Sequence, residues 1–572
     1  MERVLLEHHP DNIDYALYCL REKERYARVP ARCRPEHGQN VRFSLVMPVY
    51  NPGLSDLKEA VESVIAQTCT SWTLHIVDDC STDERVLDFL ESIAHPRVTV
   101  DFSEKNLGIS GATNLAISRA RGDYIGFIDH DDILRPWALD VIEDALSKRS
   151  TWPKLIYTDR DFISTDGRRE EPFFKPGFSL NYLLSGMYLI HFLLFRRDVL
   201  NSTHAFDEAY DGAQDFDFAL RVTELCRDYS TDILHVPQVC YGWRKARAST
   251  ARTYKNKMYA FRAGQRAVNQ YLQRNRVGKI TAVIDREAGY GFYRLVPGVK
   301  ETMGSRGLNI LVAFYSMQGR TGEEPKALRF LPTGIKAIAS ISRVNMARED
   351  WWQEACETMA SWDEGPSIIV WENAHIGVMA WRHILWHLHF WPTPSLYSPR
   401  VILEDEGRHV NFLNGPYILE DGRIFNPLAG FLATRRQRHA WHMSRRDTFP
   451  PVFPFVAGQA RHLASLDADT RSFPDAYGLV HHYIRSYFRE GLNHIYLPGW
   501  CIYVKRDIIQ GMSRSLTETG RNWLLAREGD RITDPYFNRN ISTKRPDIWI
   551  STCDDFFDPW PPVRKGCSYI YP

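Results

Sequence analysis

The residues best suited to chemistry in this sequence form an acidic run, Asp129, His130, Asp131 and Asp132, directly after the apolar stretch YIGFI. Carboxylates this close repel one another and raise one another's pKa unless other groups offset their charge. A divalent cation would offset it, because hard cations bind oxygen ligands. The alternative is a solvated turn in which an aspartate caps the following helix. The residue types alone leave both a metal site and a capped turn open.

The elements that would position the acidic run are predicted from apolar periodicity. Short apolar runs typical of buried strands alternate with helical patterns, and the apolar residues of LSDLKEAVESVIAQT share one helix face. The predicted strands are 43–49, 72–77, 98–102 and 124–128. Strands and helices that alternate in this way predict an α/β fold with a mainly parallel, doubly wound sheet.

Polar residues follow each of these predicted strands. They are Tyr50 and Asn51, Asp78 and Asp79, Lys105 and Asn106, and the acidic run itself. The carboxyl ends of parallel strands meet at one edge of a sheet, and ligands of open α/β sheets bind there. A capped turn would explain one of these groups but not their convergence. The pattern therefore favours a ligand site over an acidic turn.

The glycine pattern argues against two common phosphate-binding sites. A dinucleotide fold needs G-x-G-x-x-G directly after its first strand, whereas here that turn reads VYNPGLSD, and the glycines of NLGISGATN have a different spacing. The sequence also lacks the pattern G-x-x-x-x-G-K-[ST]. A metal ion that bridges a diphosphate to the acidic run fits these residues better.

The composition excludes some classes of protein. The 572 residues carry 71 Lys and Arg against 70 Asp and Glu, without the basic excess typical of nucleic-acid binders. The ten cysteines include no C-x-x-C pair, which predicts neither a zinc site nor a disulfide framework and favours a reducing cytoplasm. The N-terminus lacks the apolar core of a signal peptide. We interpret the apolar segment 176–195 as a buried helix followed by a buried strand, rather than a membrane span.

Motifs in the first half of the chain resemble those of a known family. In order they read SLVMPVYN, IVDDCSTDE, NLGISGATNLAISRARGDYIGFIDHDD, GAQDFDFALR and YGWRKARAST. Together they resemble bacterial family 2 glycosyltransferases of GT-A fold, particularly those that build O-antigens and other surface polysaccharides. The resemblance covers about residues 43–272.

The resemblance implies catalytic and metal-binding roles. Asp129 and Asp131 would be the D-x-D pair that binds Mn²⁺ or Mg²⁺ on the donor diphosphate, with Asp132 close by. Asp215 would be the catalytic base, and Asp217 a structural neighbour. Displacing a nucleoside diphosphate needs a cation for the leaving group and a carboxylate for the proton of the attacking hydroxyl, so these residue types suit the reaction. A single displacement implies inversion at the anomeric carbon.

The resemblance also implies a donor site. The base and ribose would bind after the first two strands, and a closing loop that contains Arg244, Ser249 and Thr250 would cover the diphosphate. The expected donor-binding residues are Pro48, Tyr50, Asp78, Asp79, Asn106, Asp129, Arg244 and Ser249.

The sequence departs from the family pattern at two positions. Gly242 stands where many relatives have a histidine in the closing loop, which leaves the third protein ligand of the metal open. His191 and His235 are nearby candidates, although a lone histidine in an apolar run is more often packed than ligating. Thr113 stands where the family has an arginine near GATN.

A second unit is predicted from Leu308, where LNILVAFYS starts a new series of strand-like runs. The closing stretch DRITDPYFNRNISTKRPDIWI resembles the end of two-domain glycosyltransferases of the same group. Trp371, Glu372 and Asn373 stand where an active domain has its D-x-D, and one carboxylate makes a poor cation site. We therefore expect a non-catalytic, GT-A-like domain that contacts the acceptor or partner enzymes. The expected boundaries are 1–42 for an N-terminal helical extension, 43–275 for the catalytic domain, 276–306 for a linker and 307–572 for the second domain.

The resemblance, together with the acidic run and Asp215, implies a metal-dependent, inverting hexosyltransferase of family 2. Its donor would be a nucleotide-diphosphate sugar and its acceptor a glycan or lipid-linked glycan, and we expect no nucleic-acid partner. We expect the protein in the cytoplasm, either free or peripheral on the inner membrane with other glycan-assembly enzymes. Two alternatives stay open. One is a bifunctional enzyme with two active domains, and the other is a non-catalytic protein that binds nucleotide sugars or aids assembly.

Overall fold

The structure of the protein is a computed structural model. Besides the strands given below for residues 395–505, it describes residues 19, 20, 22, 41–173, 175, 177–245, 258–277, 280–285, 291–297, 307–314, 324–337, 339–345, 348, 351–362 and 365–390. Ser249, Thr250 and nearly all of the predicted N-terminal extension lie outside the described residues.

The chain divides into two compact units. The first consists of Met1–Phe178 and Met187–Tyr271, and the second of Ser179–Gly186 and Leu272–Pro572. The residue boundaries expected for the extension, catalytic domain, linker and second domain remain predictions.

Strands alternate with helices in the first unit, as the apolar periodicity predicts. The strands are β1 Phe43–Val49, β2 Trp72–Asp78, β3 Val98–Phe102, β4 Tyr124–Phe127, β5 Ile133–Leu134, β6 Leu155–Ile163, β7 Arg169–Phe173, β8 Leu193–Arg196 and β9 Ile233–Arg244. The α-helices described between residues 41 and 274 are α1 Leu54–Ile65, α2 Glu84–Ser92, α3 Gly108–Arg119, α4 Ala138–Ser147, α5 Leu180–Leu183, α6 Gln214–Glu224, α7 Tyr229–Asp232 and α8 Met258–Arg274. β1 and β3 have the predicted bounds, β2 ends one residue later and β4 one residue earlier.

The described strands of the first unit form one mixed sheet in the order β3-β2-β1-β4-β8-β6-β9-β5, with β7 paired to β6. β1 is parallel to both β2 and β4, and β2 is parallel to β3, which confirms the predicted parallel arrangement. β8 is antiparallel to both β4 and β6, whereas β9 is parallel to β6. Sequence analysis did not predict this mixed half of the sheet.

Helix α1 shows how the sequence sets the packing. Its buried residues Leu57, Ala60, Val61 and Val64 repeat at the spacing of successive helix turns and join the core formed with β1 and β2. Burying a side chain of the size of valine or leucine contributes about 1.5–3 kcal/mol relative to leaving it exposed. The predicted helix face is confirmed.

The apolar segment 176–195 contains the short helix α5 and strand β8. Leu183, Leu184, Leu193 and Leu194 are buried. The prediction of a buried helix followed by a buried strand is therefore confirmed. Within the described part of the chain, every helix is too short or too polar to cross a bilayer.

The second unit repeats the strand order of the first. Its strands are β10 Ile280–Ile284, β11 Tyr293–Pro297, β12 Leu308–Phe314, β13 Ala339–Asn345, β14 Pro366–Trp371, β15 His375–Ile376, β16 Ser395–Asp405, β17 Arg408–Leu413, β18 Tyr417–Ile418, β19 Ile424–Phe425, β20 Arg446–Asp447, β21 Val456–Gln459 and β22 Asn493–Lys505, and its further helices are α9 Thr333–Lys336, α10 Trp351–Ala360 and α11 Val378–Phe390. The main sheet has the order β13-β12-β14-β21-β16-β22-β15, with β17 paired to β16. Each of these strands has a counterpart in the series β2-β1-β4-β8-β6-β9-β5, with β7 paired to β6, and the parallel or antiparallel sense agrees at every step.

Candidate functional site

The acidic run is held in place by residues of β9. The Tyr241 hydroxyl donates to Asp132 Oδ2 at 2.7 Å and accepts a hydrogen bond from the Asp129 backbone N–H at 3.2 Å. The Arg244 backbone N–H donates to Asp132 Oδ1 at 2.7 Å, and Arg244 Nε donates to the Asp131 carbonyl oxygen at 2.7 Å. These partners lie 109 to 113 residues apart in the sequence. Sequence analysis missed Tyr241, because nothing in the motif YGWRK marks its hydroxyl as a partner of the acidic run.

Burial and the neighbouring carboxylates of the acidic run raise the pKa of Asp132. Asp132 is buried, and loss of hydration raises its pKa well above the ordinary value, with Asp129 and then Asp131 adding to the rise. The side chain of Asp129 is 42% exposed, so it remains accessible to a ligand. The charge of this run is the kind that a bound cation would offset.

His191 is the histidine that the structure brings to the acidic run. Its Nε2 lies 3.7 Å from Asp129 Oδ2, and its ring stacks on Tyr241 with 4.8 Å between ring centroids. One ligand atom from each of Asp129, Asp132 and His191 lies within 4.8 Å of the others. Burial lowers the pKa of His191 to about 3, with nearby cationic side chains adding to the effect, so the ring is neutral near pH 7. Two carboxylate oxygens fit Mn²⁺ or Mg²⁺, and the neutral imidazole nitrogen favours the transition-metal ion Mn²⁺ of the two.

Two other candidates fall outside this group of ligand atoms, as far as the described residues go. The Asp131 carboxylate is close enough to raise the pKa of Asp132, and its place in the D-x-D pair remains a prediction. His235 Nε2 instead lies 2.8 Å from Asp159 Oδ1, and its ring stacks on Tyr157. His235 is therefore a packed histidine.

Asp215 lies in the first turn of α6. Burial raises the pKa of Asp215 to about 6, and the Asp129 carboxylate adds to the rise. The Phe216 backbone N–H donates to Asp215 Oδ1 at 2.8 Å and holds the carboxylate in place. The charge of the expected metal ligand Asp129 thus acts on the expected base, whose role remains a prediction. Asp217, by contrast, is buried in an ion pair with Arg221 at 2.8 Å, the structural role that was predicted.

The residues expected to bind the base and ribose lie around the ends of β1 and β2. The Pro48 carbonyl oxygen is 3.2 Å from His130 Nδ1, and Tyr50 is 50% exposed. Asp78 is buried, and its Oδ2 accepts a hydrogen bond from the Ser81 backbone N–H at 3.0 Å. Its other oxygen is buried without a hydrogen-bond partner among the described residues. An unpaired buried carboxylate oxygen is costly, so Asp78 is suited to accept a hydrogen bond from a ligand.

Asp79 and Asn106 join the loop after β2 to the loop before α3. Asp79 Oδ1 accepts a hydrogen bond from the Leu107 backbone N–H at 2.6 Å. Asn106 Nδ2 donates to the Asp79 carbonyl oxygen at 3.2 Å, and its Oδ1 accepts from the Gly108 backbone N–H at 3.1 Å. In this structure both side chains organise the loops at this edge of the sheet, and their contact with a donor remains a prediction.

Arg244 is anchored to helix α1. Its Nη2 lies 2.8 Å from Glu59 Oε2, and its Nε lies 3.5 Å from Asp56 Oδ1. With the hydrogen bond to the Asp131 carbonyl oxygen, these contacts join the end of β9 to α1 and the acidic run. The predicted contact of Arg244 with a diphosphate remains a prediction.

The departure at Gly242 has a steric cause. A Cβ atom at this position would lie 2.1 Å from Arg169 Nη1 and 2.9 Å from Ile163 Cδ1. Arg169 Nη1 is held at 2.6 Å by Asp161 Oδ1, and the Asp161 side chain is fully buried. A histidine cannot occupy position 242 while this ion pair stays in place. At the other departure, the Thr113 hydroxyl donates to the Ile109 carbonyl oxygen at 2.6 Å, inside α3.

The equivalent edge of the second unit carries different side chains. β12 pairs with β13 over seven residues, as β1 does with β2, and Ala313 is opposite Trp371. In the first unit, Val46 of β1 is opposite Phe127 of β4. Extending this register past the end of β4 puts Asp129 at the position that Trp371 occupies in the second unit. Asn373 then corresponds to Asp131. Between them Glu372 Oε1 lies 3.8 Å from the Arg343 guanidinium, so this carboxylate already has a cationic partner.

The mixed α/β sheet of the first unit, with acidic residues at the carboxyl ends of its parallel strands, has the GT-A arrangement. Residues 44–203 match the sequence family described as glycosyl transferase family 2. The matched residues include the acidic run and His191, whereas Asp215 and β9 lie beyond them.

Relatives match the chain over part of their length. The chain is 40% identical over 257 residues to the uncharacterized protein y4gI of Sinorhizobium fredii, in a match that covers 45% of this chain and 28% of that protein. It is 32% identical over 273 residues to the O-antigen biosynthesis protein RfbC of Myxococcus xanthus, covering 46% and 20%, and 33% identical over 199 residues to the chondroitin synthase of Escherichia coli, covering 35% and 28%. The chain therefore spans 20–28% of the length of these relatives. A crystal structure of S. aureus TarS 1-349 aligns over 41% of this chain and 73% of that chain with 18% identity and a TM-score of 0.29, a likeness too low to support a conclusion.

Proposed function

We propose that the chain transfers a sugar, a hexose, from a nucleoside-diphosphate donor to a hydroxyl group of a growing bacterial surface polysaccharide. The family match and the relatives named for O-antigen biosynthesis and chondroitin synthesis support this choice of reaction. The observation that carries the proposal is that ligand atoms of Asp129, Asp132 and His191 lie within 4.8 Å of one another, a donor set for the cation that such a transfer needs. The raised pKa of Asp215 supports its role as the candidate base.

The reaction we propose depends on Mn²⁺ or Mg²⁺. Asp129 and Asp131 would hold the cation, with Asp132 and His191 offering further ligand atoms next to Asp129. When bound, the cation would neutralise the charge of the departing diphosphate. Tyr241 and Arg244 keep the acidic run in one conformation, so the ligand atoms are positioned before a donor arrives.

Asp215 is the proposed base. It would take the proton of the acceptor hydroxyl as that oxygen forms a bond to the anomeric carbon. The bond from this carbon to the diphosphate oxygen would break, and its electron pair would stay on the diphosphate. Because the hydroxyl attacks opposite the departing diphosphate, this single displacement inverts the anomeric centre. A carboxylate whose pKa is raised to about 6 is a stronger base than an ordinary aspartate and is still ionised at pH 7.

The second unit is proposed to be non-catalytic. Its register supports this, because Trp371 and Asn373 stand where the first unit has Asp129 and Asp131. A cation site needs several oxygen ligands, and Glu372 faces Arg343 instead. We propose that this unit contacts the acceptor glycan or partner enzymes, on the cytoplasmic face of the inner membrane.

The test is a screen of nucleotide sugars against the full chain, with and without Mn²⁺. A donor at 100 times its Kd should stabilise the fold by about 2.7 kcal/mol, visible as a rise in melting temperature. The stabilising donor is then mixed with oligosaccharide acceptors, and product formation is followed by mass spectrometry. Mn²⁺-dependent stabilisation with product supports the proposal. Stabilisation without product under any acceptor would favour a non-catalytic nucleotide-sugar-binding protein.

A further inference from the structure

We propose that His191 is the imidazole ligand of the metal site, in place of the closing-loop histidine that is missing at Gly242, and that Lys175 is the residue that positions it. The inference rests on the metal dependence proposed above. It assigns the ligand from the segment just before β8 instead of from position 242 in β9.

The first support is the geometry of the ligand atoms. His191 Nε2 lies 3.7 Å from Asp129 Oδ2, which is longer than a hydrogen bond, and both atoms lie within 4.8 Å of a carboxylate oxygen of Asp132. Ligands of a cation with bonds of about 2.1 Å lie roughly 3–4.2 Å apart. Small side-chain movements would therefore bring all three atoms onto one ion.

The second support is that the His191 ring is oriented by its neighbours. It stacks on Tyr241 at an interplanar angle of 19° and meets Trp243 edge-on at 5.3 Å between centroids. The hydroxyl of the same Tyr241 binds Asp132 Oδ2 and the Asp129 backbone N–H. One β9 side chain thus contacts Asp129, Asp132 and His191, as residues around a metal site commonly do.

The third support is Lys175. Its ammonium group is buried, and each of its three N–H donors makes a hydrogen bond. Nζ donates to the carbonyl oxygens of Thr158 at 2.6 Å, Leu189 at 2.9 Å and His191 at 2.9 Å. A lysine has three ammonium donors, so each one is bound to backbone. Burying a cation is costly unless its hydrogen bonds are made, and here they tie the backbone at His191 to strand β6. Lys175 therefore fixes where the imidazole enters the site.

The fourth support is that position 242 cannot supply the imidazole. Arg169 Nη1, bound to Asp161 Oδ1 at 2.6 Å, occupies the space that a side chain would need there. The guanidinium of Arg244, two residues later, donates hydrogen bonds to Glu59 and to the Asp131 carbonyl oxygen. In the described part of the chain, the imidazole that reaches the acidic carboxylates is that of His191.

The test is to measure Mn²⁺ binding to the full chain without donor. The EPR signal of free Mn²⁺ reports how much of the ion stays unbound. His191→Phe keeps an aromatic ring against Tyr241 but removes the ligand, and should weaken Mn²⁺ binding by about 10- to 100-fold. Lys175→Met should weaken it by about 10-fold. Because Lys175 acts through His191, the double variant should bind no more weakly than His191→Phe alone. Pulsed EPR should detect an imidazole nitrogen bound to Mn²⁺ in the wild type and lose it in His191→Phe.

The matched control is Lys154→Met, which removes a lysine whose Nζ binds Asp232 Oδ1 at 2.6 Å, and Mn²⁺ affinity should not change. Equal affinity in wild type and His191→Phe would overturn the ligand assignment. Losses that add in the double variant would overturn the positioning role. If Lys175→Met does not fold, Lys175→Gln replaces it, because glutamine keeps two donors and should cause a smaller loss of Mn²⁺ affinity. Failure of both variants to fold would make Lys175 merely structural. No Mn²⁺ binding by the folded wild type would instead count against the proposed metal dependence.

Discussion

At the scale of single residues, burial and neighbouring charge turn ordinary carboxylates into a site. Asp215 and Asp132 both have a raised pKa, in each case first because of burial and then because of Asp129. Their surroundings differ in hydrogen bonding. Asp132 accepts hydrogen bonds from Tyr241 and Arg244, whereas Asp215 accepts one from the backbone N–H of its neighbour Phe216. Asp132 is thus suited to hold structure and Asp215 to exchange a proton.

The first prediction concerns Asp215→Asn. We expect transfer to fall by about 100-fold or more, because a positioned base is lost, while the Kd for the donor stays within a few-fold. The pKa of Asp215 is raised in the fold, so its ionised form opposes folding at neutral pH, and the neutral asparagine should leave the melting temperature at pH 7.5 unchanged or higher. Donor titration, product formation and a melting curve measure the three quantities. Wild-type transfer would exclude Asp215 as the base, and loss of the fold would make it structural.

The second prediction is the pH dependence of transfer. Asp215 must be ionised to accept a proton, so kcat/KM should rise with pH and then level off. The midpoint of the rise should lie near or somewhat below the pKa of about 6. A cation bound at Asp129 would offset one cause of the raised pKa and move the midpoint downward. Initial rates between pH 5 and 8, with melting curves at each pH, separate this effect from unfolding. A rate that is constant over this range would contradict the role of Asp215.

At the scale of elements, β9 decides how the site is assembled. It passes beside β5 and β6, and its residues hold the acidic run at the end of β4. Gly242 lets this strand lie against the Arg169–Asp161 ion pair, since there is no room for a Cβ atom. A side chain at this position would therefore compete with Arg169 for the same space.

The third prediction follows from that packing. Gly242→Ala should destabilise the protein by about 1–3 kcal/mol, because the methyl group must push Arg169 from its partner Asp161. Calorimetric melting of the full chain should show at least one transition at a lower temperature. Gly334→Ala in α9 is the matched control, since a Cβ atom there meets nothing within 4 Å, and it should be neutral or slightly stabilising. Equal melting curves for the two variants would contradict the steric account.

At the scale of the whole molecule, the chain contains the same strand series twice. The two series agree in neighbour order and in strand direction, and differ in what they carry at the edge where a ligand would bind. Asp78, Asp129 and Asp131 of the first unit correspond by register to Asn345, Trp371 and Asn373 of the second. The repeat has kept the backbone arrangement without the carboxylates.

The fourth prediction separates the two units. Asp129→Asn should abolish every linkage that the full chain forms, whereas Glu372→Gln should leave all of them unchanged, because Glu372 lacks the companion carboxylates of a cation site. Product analysis with a panel of donors and acceptors measures both variants.

The deciding case is the Asp129→Asn protein. A residual linkage in this variant that disappears on adding Glu372→Gln would overturn the single-site interpretation and favour a bifunctional enzyme. Glu372→Gln on its own also serves as a folding control, since the carboxylate it replaces lies next to Arg343 and its melting temperature should shift only slightly.

The amino-acid sequence by itself determined the elements and the chemistry that they carry. The bounds of β1 and β3, the buried face of α1 and the polar residues after each parallel strand follow from local periodicity. Periodicity depends on residues within a few positions of one another, so it can be read without knowing the fold. The motif resemblance added the family and the expected metal and base residues, and the family match agrees with it over residues 44–203.

Only the tertiary structure decided which side chains complete the site. It inserted β8 between β4 and β6, which brought His191 to Asp129, and it placed Tyr241 of β9 against a backbone N–H 112 residues away. It also set His235 apart as a packed residue and buried Lys175 behind His191. Such contacts depend on strand order and register across the sheet, which local patterns of apolar and polar residues do not specify.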